Sequence, residues 1–166
     1  KAIKKAKDNN ICIPFVYNCG GYEKVESLKA LDGLIDIYMP DFKYMSPLLS
    51  EKYSFAPDYA DVAKKALCEM VKQIPRCEFD DKGIMKKGVI VRHMMLPGQL
   101  SDSKKILKYL IKTYKNQIFI SIMNQFTPTE NLEDFPEINR KVTDREYDKL
   151  LDFALSLGLQ NAFIQE

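Results

Sequence analysis

The chain has 166 residues, 46% hydrophobic and 29% charged, with a formal net charge of +2 at pH 7. That makeup excludes a disordered, collagenous or fibrous chain and fits one domain around one core, expected to span residues 1–166. It carries no strong electrostatic footprint for nucleic acid, no apolar run near the roughly 18 residues a bilayer crossing needs, and no signal-peptide pattern, so the cytoplasm is the expected compartment.

In chain order, residues 1–9 place Ala2, Ile3 and Ala6 among lysines at helical spacing, the pattern of a solvated helix face. A β-branched run predicts a strand over 12–17, followed by a helix over 22–31 and a strand over 35–39. Helical periodicity resumes over 58–74, and "GVIVRHMML" predicts a buried strand over 88–95. The next helix, 102–115, has Ser101 as its expected cap and Ile106, Leu107, Leu110, Ile111 and Tyr114 on its apolar stripe. A strand follows over 118–123. Thr143 and Glu146 form a capping box for a helix over 144–157 that presents Tyr147, Leu150, Leu151, Ala154 and Leu155 to the core, with Gly158 ending it ahead of a strand over 162–165. This alternation predicts an α/β fold on a parallel sheet, without repeats or linkers. The sequence starts inside a helix and stops just after a strand, which reads as a piece of something longer.

Two connections, 41–57 and 124–142, exceed ordinary βα-loop length, and both follow strands. In parallel α/β folds the loops after strands form the face where ligands bind. Polar groups converge there: "VYNCGG", "MPDFK", "RHMMLPG" and "MNQFTP" stand at four strand ends. Asp41 and Lys43 read either as an ion pair bracing a strand end or as part of a site. With extended geometry through Pro40, Met39, Asp41 and Lys43 share a face, and adjacent Arg92 and His93 take opposite faces, so only one of them can look into the site.

Several chemistries lack their motifs. There is no Gly-x-Gly-x-x-Gly, phosphate-binding loop, Gly-x-Ser-x-Gly or His-Glu-x-x-His, and the chain has one histidine. The glycine pair after the first strand reads equally as a tight turn. Cys12, Cys19, Cys68 and Cys77 form neither a Cys-x-x-Cys pair nor a secreted disulfide framework and are expected to be reduced thiols.

"PFVYNCGGYE", "LDGLIDIYMPDFKYM", "GVIVRHMMLPG", "ISIMNQFTP" and "AFIQE", in this order, resemble the later part of radical S-adenosylmethionine (radical SAM) proteins related to pyruvate formate-lyase activating enzyme. The resemblance implies a partial parallel (β/α) barrel, here truncated at its N-terminal side. It also implies a 4Fe-4S cluster held by a Cys-x-x-x-Cys-x-x-Cys loop and S-adenosylmethionine bound to the cluster. Reduction yields a 5′-deoxyadenosyl radical that abstracts hydrogen, for activases from a glycyl-radical protein partner, with an electron donor as second partner. The family pattern Met-x-Asp-x-Lys matches Met39, Asp41 and Lys43, implying contacts to the cosubstrate and a monovalent cation at Met39 and Asp41. Asn18, Arg92 and Gln125 match further cosubstrate positions, although Asn124, Gln125 and Phe126 stand where better-known activases have a histidine.

The cysteine spacing departs from the family, since six residues separate Cys12 from Cys19 and eight separate Cys68 from Cys77. On that basis the chain corresponds to the C-terminal part of the barrel, the cluster-binding part being missing, and alone should hold no cluster and be inactive. Its exposed leading sheet edge would favour self-association. Two alternatives stay open: a non-catalytic nucleoside- or partner-binding module, and an unrelated βα-barrel enzyme using His93 as acid or base.

Overall fold

The computed structural model describes residues 1–9, 13–128 and 132–164. The helices are α1 (Ala2–Asp8), α2 (Val25–Lys29), α3 (Pro47–Ser54), α4 (Tyr59–Gln73), α5 (Leu100–Tyr114) and α6 (Asp144–Ser156). The strands are β1 (Val16–Cys19), β2 (Ile37–Pro40), β3 (Glu78–Phe79), β4 (Met85–Met94), β5 (Phe119–Met123) and β6 (Ala162–Ile164). Five strands lie parallel in the order β1-β2-β4-β5-β6, and β3 adds an antiparallel pair to β4. Sequential parallel order with helical crossovers is barrel-like winding. β1 and β6 stay unpaired with each other, so the barrel is partial and open.

Alternation along the strands separates two faces. One carries Tyr38, Val89, Val91, Ile120 and Ile122, each no more than 1% exposed, against the helix layer. α5 meets it with Ile106, Leu107, Leu110, Ile111 and Tyr114, the stripe its periodicity predicts. α4 contributes Ala60, Ala63 and Ala66 beside Leu67 and Met70, and the small residues let the helix seat close to the sheet. The opposite face, with Asn18, Met39, Arg92, Met94, Ser121 and Met123, remains half-open.

The structure departs from the sequence reading at several boundaries. β1 runs over Val16–Cys19 instead of 12–17, because Pro14 has no N–H for the ladder and pairing starts with Val16 opposite Ile37. Cys12, the first residue of the expected strand, lies outside the described residues, as does residue 165 of the last one. β4 starts earlier than expected because "DDKG" makes a turn: Asp80 Oδ1 accepts from the Lys82 and Ile84 amides at 3.0 and 2.9 Å, joining β3 to β4. Ser101 does not cap α5, whose N-cap is Gln99.

The capping box of α6 is present, and Gly158 takes φ +80° after its C-terminus. Leu155, however, is 60% exposed. At about 100° per residue it lies roughly 80° round the helix from Tyr147, whereas Leu150 and Ala154 stay on the buried stripe. The 41–57 connection contains α3, opened by Pro47 at its first turn and closed by Phe55 in the left-handed region (φ 51°).

Candidate functional site

The C-terminal ends of β2, β4 and β5 meet at a cleft of about 290 Å³. Its polar lining is Asp41, Lys43, Tyr44, Arg92 and Gln125, and its apolar lining is Met94, Leu96, Met123 and Phe126. Register explains the convergence. Asp41 bridges to Arg92 just past the end of β2, and Arg92 lies opposite Ser121 on β5. Partners in a parallel ladder face the same side, so the charged pair and Met94 opposite Met123 all look from the half-open face.

Arg92, not Lys43, is the tighter partner of Asp41. Arg92 Nε and Nη2 donate to Asp41 Oδ1 at 2.9 and 2.6 Å, whereas Lys43 Nζ stands 3.7 Å from Oδ2. The Lys43 side chain is 47% exposed. A loosely paired ammonium at a cleft mouth retains donors for a ligand carboxylate. Gln125 donates weakly to Met123 Sδ at 3.7 Å. Of the residues expected at the site, Asp41, Lys43, Arg92 and Gln125 are brought together. Asn18 and Met39 pair in register with each other on the same sheet face but stand outside the cleft lining.

The backbone bearing Asp41 and Lys43 is held from behind. Gly21 (φ +79°) lies so close to the Asp41 carbonyl oxygen that a Cβ there would collide with it, which fixes glycine at this position of "CGG". The Tyr59 hydroxyl accepts from the Lys43 amide at 3.0 Å and reaches the carbonyls of Gly20 at 2.9 Å and Asp41 at 3.1 Å, donating its one proton between them. Burial pushes the Tyr59 phenol up, so it remains a neutral donor. The same environment raises the Cys19 thiol to about 11. Spacing gave no hint of Tyr59, which reads as an ordinary core aromatic in "APDYADVAKKAL".

His93 faces the helix layer and is 1% exposed, with Nδ1 2.8 Å from the Phe42 carbonyl oxygen. Burial keeps its charged form disfavoured. It does not line the cleft, so an acid–base role for His93 there is not supported by the geometry.

The two long connections meet beside this rim. Glu137 accepts from Lys52 Nζ at 2.5 Å and from Tyr53 Oη at 2.7 Å, and Phe135 packs edge-on against Tyr53. Lys52 is therefore the main reason the Glu137 carboxyl is pulled down to about 2. A second depression of about 360 Å³ sits at the opposite strand ends, where Lys7 is already committed to Asp36 at 2.8 Å. Among the described residues, no group of three or more His, Cys, Asp or Glu side chains is placed to hold a metal ion. Nor is any helix among them long and apolar enough to cross a membrane.

No family model matches the chain. It is 29% identical over 148 residues to an uncharacterized protein of Methanocaldococcus jannaschii, a match covering 89% of this chain and 39% of that relative. The chain thus spans about two fifths of the relative it matches. Among solved structures, a domain of pyruvate-formate lyase-activating enzyme from Bacteroides vulgatus superposes with a TM-score of 0.67 at 10% identity, covering 99% of this chain and 88% of that one. At that identity the likeness is one of fold, and the open parallel sheet described above is an architecture shared with that activating-enzyme domain.

Proposed function

We propose that this chain is the C-terminal part of a radical SAM protein of the activating-enzyme-like group, and that its rim cleft binds the amino-acid end of S-adenosylmethionine. The observation that carries this reading is the joining of Asp41, Lys43 and Arg92 at one cleft whose other wall is Met94, Leu96, Met123 and Phe126. The donor set suits such a ligand: an ammonium for a carboxylate, a carboxylate for an amine or hard monovalent cation, and an apolar wall for a nucleoside. Lys43 would take the carboxylate. Asp41, with Met39 on the adjoining rung, would border a monovalent cation. Arg92 holds Asp41 in place, and Gln125 borders the nucleoside side, with Asn18 farther along the same face. When bound and reduced, S-adenosylmethionine supplies a 5′-deoxyadenosyl radical for hydrogen abstraction.

Among the described residues, no set of cysteines fits a 4Fe-4S cluster. Cys68 is exposed on α4, Cys19 is half-buried on β1 and Cys77 lies beside Met85 and Gly88, so they share no site. On this reading the cluster loop lies in another part of the parent polypeptide. A glycyl-radical protein and an electron donor are the partners that accompany this reading.

Anaerobic reconstitution is the test. The chain alone should gain no iron–sulfur absorbance, and a version extended through a cysteine loop should gain it together with S-adenosylmethionine binding. Stable incorporation into the chain alone, or an extended protein that binds no S-adenosylmethionine, would overturn the proposal. A binding module without catalysis would bind S-adenosylmethionine yet release no 5′-deoxyadenosine.

A further inference from the structure

Four polar or charged residues are buried among the described residues: Ser50, His93, Asp102 and Ser103. Two of them act on a single four-residue segment. His93 on β4 meets the Phe42 carbonyl through Nδ1 at 2.8 Å, and Asp102 on α5 accepts from the Met45 amide through Oδ2 at 2.9 Å. Phe42–Met45 is the segment that carries Lys43 and Tyr44 to the cleft. A carbonyl oxygen can only accept, so Nδ1 holds the proton of a neutral ring, and Nε2 is left as an acceptor.

The remaining atoms of this arrangement do not balance by themselves. Among the described residues His93 Nε2 and Asp102 Oδ1 have no hydrogen-bond partner, although both are fully buried and the Asp102 charge acts on the His93 ring. A buried acceptor left without a donor is costly, and these two lie within electrostatic reach of each other. A water molecule carries two O–H groups and can donate to two such acceptors at once.

We propose that His93 and Asp102 are positioning residues: joined by one internal water that donates to His93 Nε2 and Asp102 Oδ1, they clamp Phe42–Met45 and so fix Lys43 at the cleft. Neither side chain lines the cleft, so both act through the segment they hold. The clamp and its water are independent of the ligand. Only the consequence for binding rests on reading the rim as an S-adenosylmethionine site.

The chain has a single histidine, so its nitrogen spectrum is unambiguous. In the 15N-histidine-labelled 166-residue chain at pH 7, long-range proton–nitrogen correlation should show a neutral ring protonated on Nδ1, the form free histidine disfavours. A rotating-frame cross-peak from the ring to a long-lived water should accompany it. A ring protonated on Nε2, a doubly protonated ring, or no water contact would overturn the proposal. This measurement needs no variant to fold.

The variants then separate a clamp from mere filling. Asp102→Asn can accept from Met45 with its oxygen and donate from its amide nitrogen toward Nε2, so Met45 amide exchange should stay within about threefold of the parent. Asp102→Leu keeps the volume but loses both functions, and Met45 exchange should speed up by roughly tenfold or more. Equal behaviour of the two variants would contradict the clamp. An extended protein that binds no S-adenosylmethionine while His93 shows the expected tautomer would remove the proposed function and leave the clamp standing.

Discussion

The two faces of one sheet are built from the same strands and do opposite work. On the helix side, Val89, Val91, Ile120 and Ile122 are sealed, and the polar group among them, His93, is tied to backbone. On the other side, one residue away along each strand, Arg92, Met94, Ser121 and Met123 remain half-open, and a charged group gathers at the rim. The pair Arg92–His93 shows the difference at its sharpest. Neighbours in sequence, they are sent to opposite faces by the period of the strand, one into a cleft and the other into the core. Burial on the first face holds the fold together, and incomplete burial on the second leaves groups available for a ligand.

The sealed face should give the largest loss when broken. Ile122→Ala, at a fully buried position, should lower unfolding free energy by about 2–5 kcal/mol in urea titrations. The open face should respond in the other currency. Lys43→Ala should weaken S-adenosylmethionine binding to the cluster-loaded extended protein by about 1.5–3 kcal/mol, roughly ten- to a hundredfold, because it removes one charge-assisted hydrogen bond. Its stability cost should stay within about 1 kcal/mol, since the Lys43–Asp41 contact is long and half-exposed. A melting loss as large as that of Ile122→Ala, with unchanged binding, would reverse the assignment of the two faces.

Smaller effects mark the periphery. Thr143→Ala should cost about 1 kcal/mol by removing the α6 cap. Its partner Glu146 accepts from Arg140 at 2.8 Å and from the Gly98 amide at 2.9 Å, and the Arg140 guanidinium first of all holds its carboxyl well below the usual range. A carboxyl depressed by folding stabilises the protein above its unfolded pKa of about 4.3, and that contribution is lost as pH falls further. Acid titration of Glu146→Gln should therefore show a shallower loss of stability below about pH 4 than the parent does. Least of all, Cys19 should alkylate more slowly than exposed Cys68 at pH 8, because burial keeps its thiol protonated, with a pKa raised to about 11.

Much of this division was legible in the sequence. Long periodic segments such as α5 and α6 announce their stripes, and the continuous apolar runs of β4 and β5 announce parallel strands. Alternation alone puts Asp41 and Lys43 on one face and sends Arg92 and His93 to opposite faces, but it does not say which of those two looks into the cleft. What stayed hidden depends on tertiary contact. α3 has no clean stripe, with Leu48 76% exposed, and it is stabilised by contacts to Phe135 and Glu137 more than eighty residues away. β3 exists because Asp80 organises a turn. That Asp41 prefers Arg92 over Lys43 follows from strand pairing, which sequence distance conceals.

Asp41→Asn decides whether the rim cluster is a ligand site or a brace, because it nearly preserves shape while removing the charge that Arg92 and Lys43 share. The measurement is calorimetric S-adenosylmethionine binding to the cluster-loaded extended protein across a series of sodium and potassium concentrations, with thermal melting alongside. A ligand site should show weaker binding in the variant and a flattened response to the monovalent cation. Unchanged affinity and cation response beside a lowered melting point would show that Asp41 only braces the end of β2.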